Sequence, residues 1–157
     1  GSFYHLAFAK KVVDTFVESE FHDLDRVLMF QGMEGYDDVR PGYTKVAEWD
    51  AGDADGGDAG SEGASFDDFE IETAEYGMDL EEEDLAVDDV AAESAEITEA
   101  VLAGERDGAF ADAVAVNAAL RIYAGEDADS IEEGLDAARE AIDDGSAYEV
   151  LEELREF

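Results

Sequence analysis

Two adjacent aspartates, Asp37 and Asp38, are the side chains of this sequence whose chemistry and position suit a metal ion. Two glycines precede them and Pro41 follows, so they belong to a loop after an apolar run that ends at Phe30. A loop at the carboxyl end of a strand is where open α/β sheets bind ligands. Mg²⁺ takes one or two protein carboxylates and completes its coordination shell with water and substrate phosphate oxygens. The spacing also fits two solvated surface charges, so both interpretations stay open at this point.

The loop with the two aspartates lies between two predicted strands. Residues 26–31 form a short continuous apolar run, which is typical of a strand buried on both faces. Residues 44–49 are a second strand candidate. The alternation of apolar and acidic residues over 67–73 predicts a third strand.

Five helices are predicted from apolar residues at helical spacing. Ser130 with Glu133, and Ser146 with Glu149, have the spacing of a reciprocal helix cap. The predicted helices cover residues 3–19, 91–103, 107–124, 130–143 and 146–154.

The order of these elements predicts an α/β fold. We expect a single domain over residues 1–157, in which a small sheet of at least three strands is covered by about five helices. The helices need a surface for their apolar stripes, and the strands supply it. In the last helix the residues expected to face inward are Val150, Leu151 and Leu154.

Five further residues stand out by type, and each has an ordinary structural explanation. His5 and His22 lack partners at metal-ligand spacing, so we interpret them as surface or helix-end residues. Asn117 lies within an apolar helix, where a hydrogen bond to a neighbouring backbone group explains it better than catalysis does. Trp49 and Tyr123 are expected to be core or subunit-contact residues.

Residues 50–65 contain mainly glycine, alanine and aspartate. Nothing in this segment can pack, so we predict an acidic, solvated loop that is flexible or disordered. Its aspartates do not have the spacing or the closing glutamate of an EF-hand calcium loop.

The charge of the chain is extreme, with 45 acidic and nine basic residues and a net charge of −36. An apolar content of 46% argues against disorder, so we predict a folded protein adapted to high salt. Such a surface repels nucleic acids and anionic membranes. The chain has no cysteine, no apolar run long enough to cross a bilayer and no secretory signal, so we expect a cytoplasmic protein.

Two parts of the sequence resemble the anthranilate phosphoribosyltransferase family, which belongs to a glycosyltransferase family shared with pyrimidine nucleoside phosphorylases. One is FQGMEGYDDVRPGYTKVAEW, with its acidic pair ahead of a Thr-x-Val-x-Glu strand. The other covers residues 100–154 and includes the VLAGE helix end and the Tyr-Ala-Gly stop. The resemblance extends over nearly the whole chain except the acidic loop.

The resemblance implies that this chain is the C-terminal α/β portion of a longer enzyme. Members of the family also carry an N-terminal helical domain and a glycine-rich loop that grips pyrophosphate. The missing N-terminal portion of the same protein is therefore the expected partner, together with small-molecule substrates. We expect the isolated fragment to be inactive, and the resemblance leaves homodimer formation open.

The resemblance also implies a function for the two aspartates. In the family, phosphoribosyl pyrophosphate transfers its phosphoribosyl group to anthranilate in tryptophan biosynthesis, with Mg²⁺ held by an acidic pair after a strand. Asp37 and Asp38 take that position here, and no catalytic acid or base is implied. Asp38 stands where the family usually has glutamate, and Gln31 stands where histidine is common.

Two alternatives to this enzyme remain. One is a paralogue that has lost catalysis or changed its substrate, including towards nucleoside phosphorylase chemistry. The other is a non-catalytic, salt-adapted binding or assembly module.

The net charge generates a prediction about salt. We expect the free energy of unfolding to increase when KCl is raised from about 0.1 M to about 2 M, because the screening length falls to about 3 Å near 1 M salt and self-repulsion weakens. Urea unfolding at each salt concentration measures this. A free energy that is unchanged or lower in concentrated KCl would contradict the prediction.

Overall fold

A computed structural model describes residues 1–19, 24–32, 38–52 and 64–157. The described chain contains five α-helices and three strands, which confirms the predicted α/β class. Two 3₁₀ turns, Thr73–Tyr76 and Glu82–Leu85, precede the second helix. In chain order the elements are α1 (Leu6–Val17), β1 (Arg26–Phe30), β2 (Tyr43–Asp50), β3 (Ser65–Glu72), α2 (Val90–Leu102), α3 (Ala109–Ala124), α4 (Ile131–Asp143) and α5 (Ser146–Arg155).

The chain divides into two compact units, Gly1–Glu72 and Thr73–Phe157. The first contains α1 and the sheet, and the second contains α2 to α5. Each unit is described by itself below, and the single domain over residues 1–157 stays a prediction.

The three strands form an antiparallel sheet in the order β1-β2-β3. Leu28, Met29 and Phe30 are all buried. Because successive side chains of a strand point to opposite faces, three consecutive buried residues mean that both faces of β1 are covered. The predicted burial of this strand is therefore confirmed at its carboxyl end.

The carboxyl end of β1 is hydrogen-bonded on both sides. Ser2 forms a parallel bridge with Phe30, whose N–H donates to the Gly1 carbonyl oxygen at 2.8 Å. On the other side Phe30 is in register with Val46 of β2, and the Gln31 N–H donates to the Lys45 carbonyl oxygen at 2.8 Å. The backbone that leads into the aspartate loop is thereby fixed.

Helix α1 covers one face of the sheet. Ala9 and Val13 on its inner side are fully buried and pack in one apolar cluster with Met29 and Ala47. Trp49 lies partly buried against this cluster, which confirms its predicted place at the core.

The centre of the second unit is the contact between α3 and α4. Ala119 of α3 and Gly134 of α4 are both buried. A Cβ atom at Gly134 would lie 2.6 Å from the Ala119 carbonyl oxygen, which is closer than such atoms approach. Glycine inside a helix costs stability relative to alanine, so this close approach of two backbones explains its presence.

The two predicted helix caps have different outcomes. The first cap is confirmed in part: the Ser130 hydroxyl oxygen accepts a hydrogen bond from the Glu133 N–H at 3.2 Å. The reciprocal bond is displaced by one residue, because the Glu133 carboxylate accepts the Asp129 N–H at 3.1 Å. The second is wrong, because α5 begins after Gly145 and has no side-chain cap. Asp144 accepts the Ser146 N–H instead, at 2.9 Å, since an aspartate readily bonds the backbone two residues further on.

The predicted inward stripe of α5 is also wrong in part. Val150 and Leu154 are 55% and 66% exposed. Ala147, Tyr148 and Leu151 are half-buried and form the inner side of this helix instead. The short helix therefore meets its neighbours along one narrow strip only.

A partly buried ion cluster joins the far ends of β1 and β2. The Arg26 guanidinium donates to Asp50 at 2.8 and 3.1 Å and lies 3.2 Å from Glu48. Asp50 also accepts the Gly52 N–H at 2.7 Å. The hydrogen bonds from Arg26, and then that from Gly52, lower the pKa of Asp50.

Gly134→Ala should lower the free energy of unfolding by about 1–3 kcal/mol, because the added methyl group meets an immobile carbonyl. The matched control is Ala137→Gly, the reverse exchange at an exposed site on the same helix. There alanine should be the more stable residue by about 1 kcal/mol. Chemical unfolding of both variants measures the sign of each change in the free energy of unfolding. A Gly134→Ala variant that is more stable than the wild type would refute the close packing.

A second prediction concerns acid. The pKa of Asp50 is lower in the folded state than in the unfolded state, where it is about 3.9. The ionised carboxylate therefore stabilises the fold above the unfolded pKa, and this stabilisation is lost as the pH falls through the folded pKa. Asp50→Asn should therefore cost about 0.5–1 kcal/mol at neutral pH and progressively less below about pH 4. Unfolding measured across this pH range tests it, and a pH-independent difference would contradict it.

Candidate metal site

The structure describes one of the two predicted metal ligands. Asp38 is exposed and lies in the connection between β1 and β2. Asp37 lies outside the described residues, and so do His22 and residues 53–63 of the predicted acidic loop. The pairing of the two carboxylates therefore stays a prediction, and the part of the site that the structure describes is Asp38 with its neighbours.

A buried residue anchors the backbone directly after Asp38. Val39 is only 5% exposed, whereas Asp38 is exposed and Arg40 is half-buried. Val39 therefore belongs to the core, while the side chain of Asp38 before it is open to solvent. The carboxylate thus stands on a segment that the core holds in place.

The hydroxyl group of Thr44 fixes the same segment from β2. Thr44 has no exposed surface, and its Oγ1 accepts a hydrogen bond from the Arg40 N–H at 3.0 Å. A buried hydroxyl needs a partner, and a backbone N–H that leaves the strand needs one too. One bond therefore satisfies both groups and closes the chain into a corner, which we call the Asp38 corner (residues 38–44).

Pro41 and Gly42 turn the chain back into β2. Gly42 has a φ of 83°, a backbone conformation that other residues rarely adopt. Proline followed by glycine at positive φ is the residue order of a type II turn. The turn ends directly at Tyr43, the first residue of β2.

The side chain of Arg40 is held on the outside of this corner. Its Nε donates to the Tyr43 carbonyl oxygen at 2.9 Å, and its guanidinium carbon lies 5.0 Å from the centre of the Tyr43 ring. Arg40 was not among the site residues predicted from the sequence. An arginine two residues after an acidic pair and three before an aromatic residue was the available signal.

Asp38 is the one described carboxylate of the Asp38 corner, and a carboxylate is the ligand type that Mg²⁺ takes from a protein. Within residues 1–19, 24–32, 38–52 and 64–157, no group of three or more histidine, aspartate or glutamate side chains could hold a metal ion. A closed protein cage is therefore absent from that part of the chain. Mg²⁺ needs only one or two carboxylates when substrate phosphates complete its shell, and an exposed carboxylate on an anchored backbone meets that need.

Other residues considered in the sequence have structural roles. The Asn117 side-chain amide donates to the Ala113 carbonyl oxygen at 2.9 Å, which confirms its predicted backbone hydrogen bond. His5 is the exposed N-cap residue of α1, as predicted. Gln31 donates from its side chain to the Tyr4 carbonyl oxygen at 3.2 Å.

The helical unit carries a half-open groove of about 340 Å³ that the sequence did not predict. Ile97 and Phe110 contribute apolar walls, and Glu96 contributes a carboxylate. Arg106 also lines the groove, with its guanidinium carbon 4.5 Å from the centre of the Phe110 ring. In the described part of the chain, no helix has both the length and the apolarity to span a membrane.

Comparison with known proteins gives named relatives. Anthranilate phosphoribosyltransferase of Natronomonas pharaonis is 33% identical over 135 residues, which are 85% of this chain and 37% of the relative. The protein of the same name from Persephonella marina is 34% identical over 135 residues, covering 85% of this chain and 36% of the relative. The chain therefore spans little more than a third of the length of these relatives.

Solved structures are similar over the same share. Anthranilate phosphoribosyltransferase from Thermus thermophilus matches with a TM-score of 0.61 and 30% identity, over 82% of this chain and 34% of that one. The Saccharomyces cerevisiae protein of that name, solved with 4-fluoroanthranilate, also gives 0.61 at 22% identity, over 81% of this chain and 34% of that one. This second likeness concerns the fold alone.

The model of the glycosyl transferase family, a/b domain, matches residues 3–148. This match covers both units and includes the Asp38 corner. The predicted resemblance to the anthranilate phosphoribosyltransferases is confirmed. The chain therefore belongs to the glycosyl transferase family, in its a/b domain.

Proposed function

We propose that this chain is the C-terminal α/β portion of an anthranilate phosphoribosyltransferase, which transfers phosphoribosyl from phosphoribosyl pyrophosphate to anthranilate in tryptophan biosynthesis. The observation that carries the proposal is the exposed Asp38 carboxylate on a corner fixed by Val39 and Thr44. The name of the relatives, shared over 85% of this chain, supports the reaction.

The proposed reaction exchanges one bond at the ribose. The amine of anthranilate forms a bond to C1, the bond from C1 to the diphosphate oxygen breaks, and the amine then loses a proton. The diphosphate leaves with the bonding electron pair. When bound, Mg²⁺ neutralises the negative charge that develops on the leaving diphosphate.

In this proposal the chain contributes carboxylates that are held in a fixed position for Mg²⁺. In the proposal, Asp37 and Asp38 bind Mg²⁺ through carboxylate oxygens. The Thr44 hydrogen bond and the buried Val39 keep the backbone of Asp38 in place, so little reorganisation is needed as the reaction proceeds. No residue of this chain is assigned as an acid or base.

The proposal includes the rest of a longer protein. The chain covers 37% of the length of the Natronomonas pharaonis relative, so the groups that bind the other parts of the substrates would come from the remaining portion. We therefore expect no turnover from the isolated chain. We also assign the protein to the cytoplasm of a salt-adapted cell, a proposal that rests on its net charge of −36.

A second candidate is a paralogue with altered or lost activity in the same fold. Asp38 is one methylene shorter than the glutamate usual in the family, and the Gln31 side chain, where histidine is common, is bonded to the Tyr4 carbonyl oxygen. These differences favour a changed substrate over a changed architecture. The two candidates differ in anthranilate turnover and agree on diphosphate binding.

The activity prediction uses the full-length protein that contains this chain. Replacing Asp37 and Asp38 together by alanine should lower the Mg²⁺-dependent formation of phosphoribosyl anthranilate by about 10²–10³-fold, because charge stabilisation at the leaving group is lost. Fluorescence of anthranilate measures its consumption.

The matched control replaces Glu82 and Glu83 by alanine. These two exposed, adjacent carboxylates lie in a 3₁₀ turn of the helical unit, so their loss changes the net charge equally and leaves residues 37 and 38 as they are. Unchanged turnover in the Asp37 and Asp38 variant would refute the metal site. A wild-type protein that binds Mg²⁺-pyrophosphate and has no turnover would favour the altered paralogue.

A further inference from the structure

We propose that Arg40 binds a phosphate group of the diphosphate at the Asp38 corner, as the cationic counterpart of Asp38. The inference rests on the proposed function, because the diphosphate is the leaving group of that reaction. It adds a residue that acts on the ligand directly, through its guanidinium group, where the aspartates act through Mg²⁺.

The position of Arg40 follows from the burial of its neighbour. Val39 is buried, whereas Asp38 before it is exposed and Arg40 after it is half-buried. The Thr44 hydroxyl accepts the Arg40 N–H, so the backbone at Arg40 is fixed independently of its side chain. The side chain of Arg40 thus starts from a fixed backbone position two residues along the chain from Asp38.

The orientation of the side chain comes from Tyr43. The ring of Tyr43 lies 5.0 Å from the guanidinium carbon, and the Tyr43 carbonyl oxygen accepts from Nε at 2.9 Å. These contacts engage one edge and one face of the group. The remaining N–H donors belong to the two terminal nitrogens, which are the ones that bind phosphate in a bidentate manner.

Arg40 and Arg106 both lie over an aromatic ring, in a chain that has nine basic residues against 45 acidic ones. The contacts described for Arg40 are that ring and a carbonyl oxygen. Among the described residues, basic side chains that pair with carboxylates are Lys10, Arg26, Lys45, Arg139 and Arg155.

A positive side chain at this corner would offset electrostatic repulsion of the diphosphate. Carboxylates attract Mg²⁺ but repel a diphosphate, and the charge of one Mg²⁺ does not neutralise both the carboxylates and the diphosphate. A chain with a net charge of −36 adds to that repulsion. An arginine held within reach offsets it, and its planar fork matches phosphate in a way that the point charge of a lysine does not.

The test is isothermal titration of the chain itself in about 1 M KCl, with inorganic pyrophosphate as the probe, in the presence and absence of Mg²⁺. Arg40→Ala should weaken pyrophosphate binding about tenfold under both conditions, because a charge-assisted hydrogen bond is lost. Arg40→Lys should recover part of the affinity. Separate titrations with inorganic phosphate and phosphoribosyl pyrophosphate distinguish a general anion site from one that takes the substrate.

Arg106→Ala is the matched control. Arg106 also lies over an aromatic ring, that of Phe110 at 4.5 Å, so the control removes one stacked arginine from elsewhere in the chain. Its pyrophosphate affinity should equal that of the wild type. Circular dichroism and the thermal midpoint verify that each variant is folded, and Arg40→Lys tests the proposal should Arg40→Ala fail to fold.

The outcomes separate this inference from the proposed function. Asp38→Asn should weaken only the Mg²⁺-dependent part of pyrophosphate binding. If Asp38→Asn binds like the wild type while Arg40→Ala binds more weakly, the metal site is overturned and the role of Arg40 is supported. Wild-type affinity in Arg40→Ala would overturn the role of Arg40 and leave the metal site intact. Equal losses in Arg40→Ala and Arg106→Ala, or no binding by the wild-type chain at millimolar pyrophosphate, would also overturn it.

Discussion

The hydrogen bond between the Arg40 N–H and the buried Thr44 hydroxyl is the contact on which the Asp38 corner depends. It connects the backbone that leaves β1 to the strand that receives it. Val39 inserts into the core one residue before, and Gly42 turns the chain one residue after Pro41. With those groups in place, the backbone that carries the exposed Asp38 and the half-buried Arg40 is fixed.

The fixed backbone distinguishes the Asp38 corner in a chain that has 45 acidic residues and nine basic ones. In a chain with 45 acidic residues, one carboxylate is not distinguished by its chemistry alone. On a mobile backbone it would be only another surface charge. What distinguishes Asp38 is an anchored backbone and a neighbouring guanidinium group that an aromatic ring holds. The proposed metal site rests on these two features, and its pairing of Asp37 with Asp38 stays a prediction.

The sequence contained much of the fold because its patterns are local. β1 was predicted from the short apolar run over residues 26–31, and the α4 cap from Ser130 and Glu133, which are three residues apart. The α5 cap was mispredicted because Asp144 competes for the same N–H, a choice that spacing does not reveal. The packing of Gly134 on Ala119 depends on which two helices meet, so no single segment contains it.

The site was predictable to a smaller extent. Asp37 and Asp38 were selected from adjacency, loop position and the resemblance to a known family. Arg40 was missed because its role depends on the Tyr43 ring and carbonyl, which come within reach only when the Pro41 turn reverses the chain. Charge patterns read along a sequence do not show which cations are held by carboxylates and which by rings.

The most direct measurement is paramagnetic broadening of the ¹⁵N-labelled chain by substoichiometric Mn²⁺ with pyrophosphate in concentrated KCl. Mn²⁺ accepts the same oxygen ligands as Mg²⁺. The account predicts that the amide signals of residues 38–40 broaden first and most strongly. Broadening spread evenly over the acidic surface, or centred on another acidic segment such as Glu82–Leu85, would contradict it.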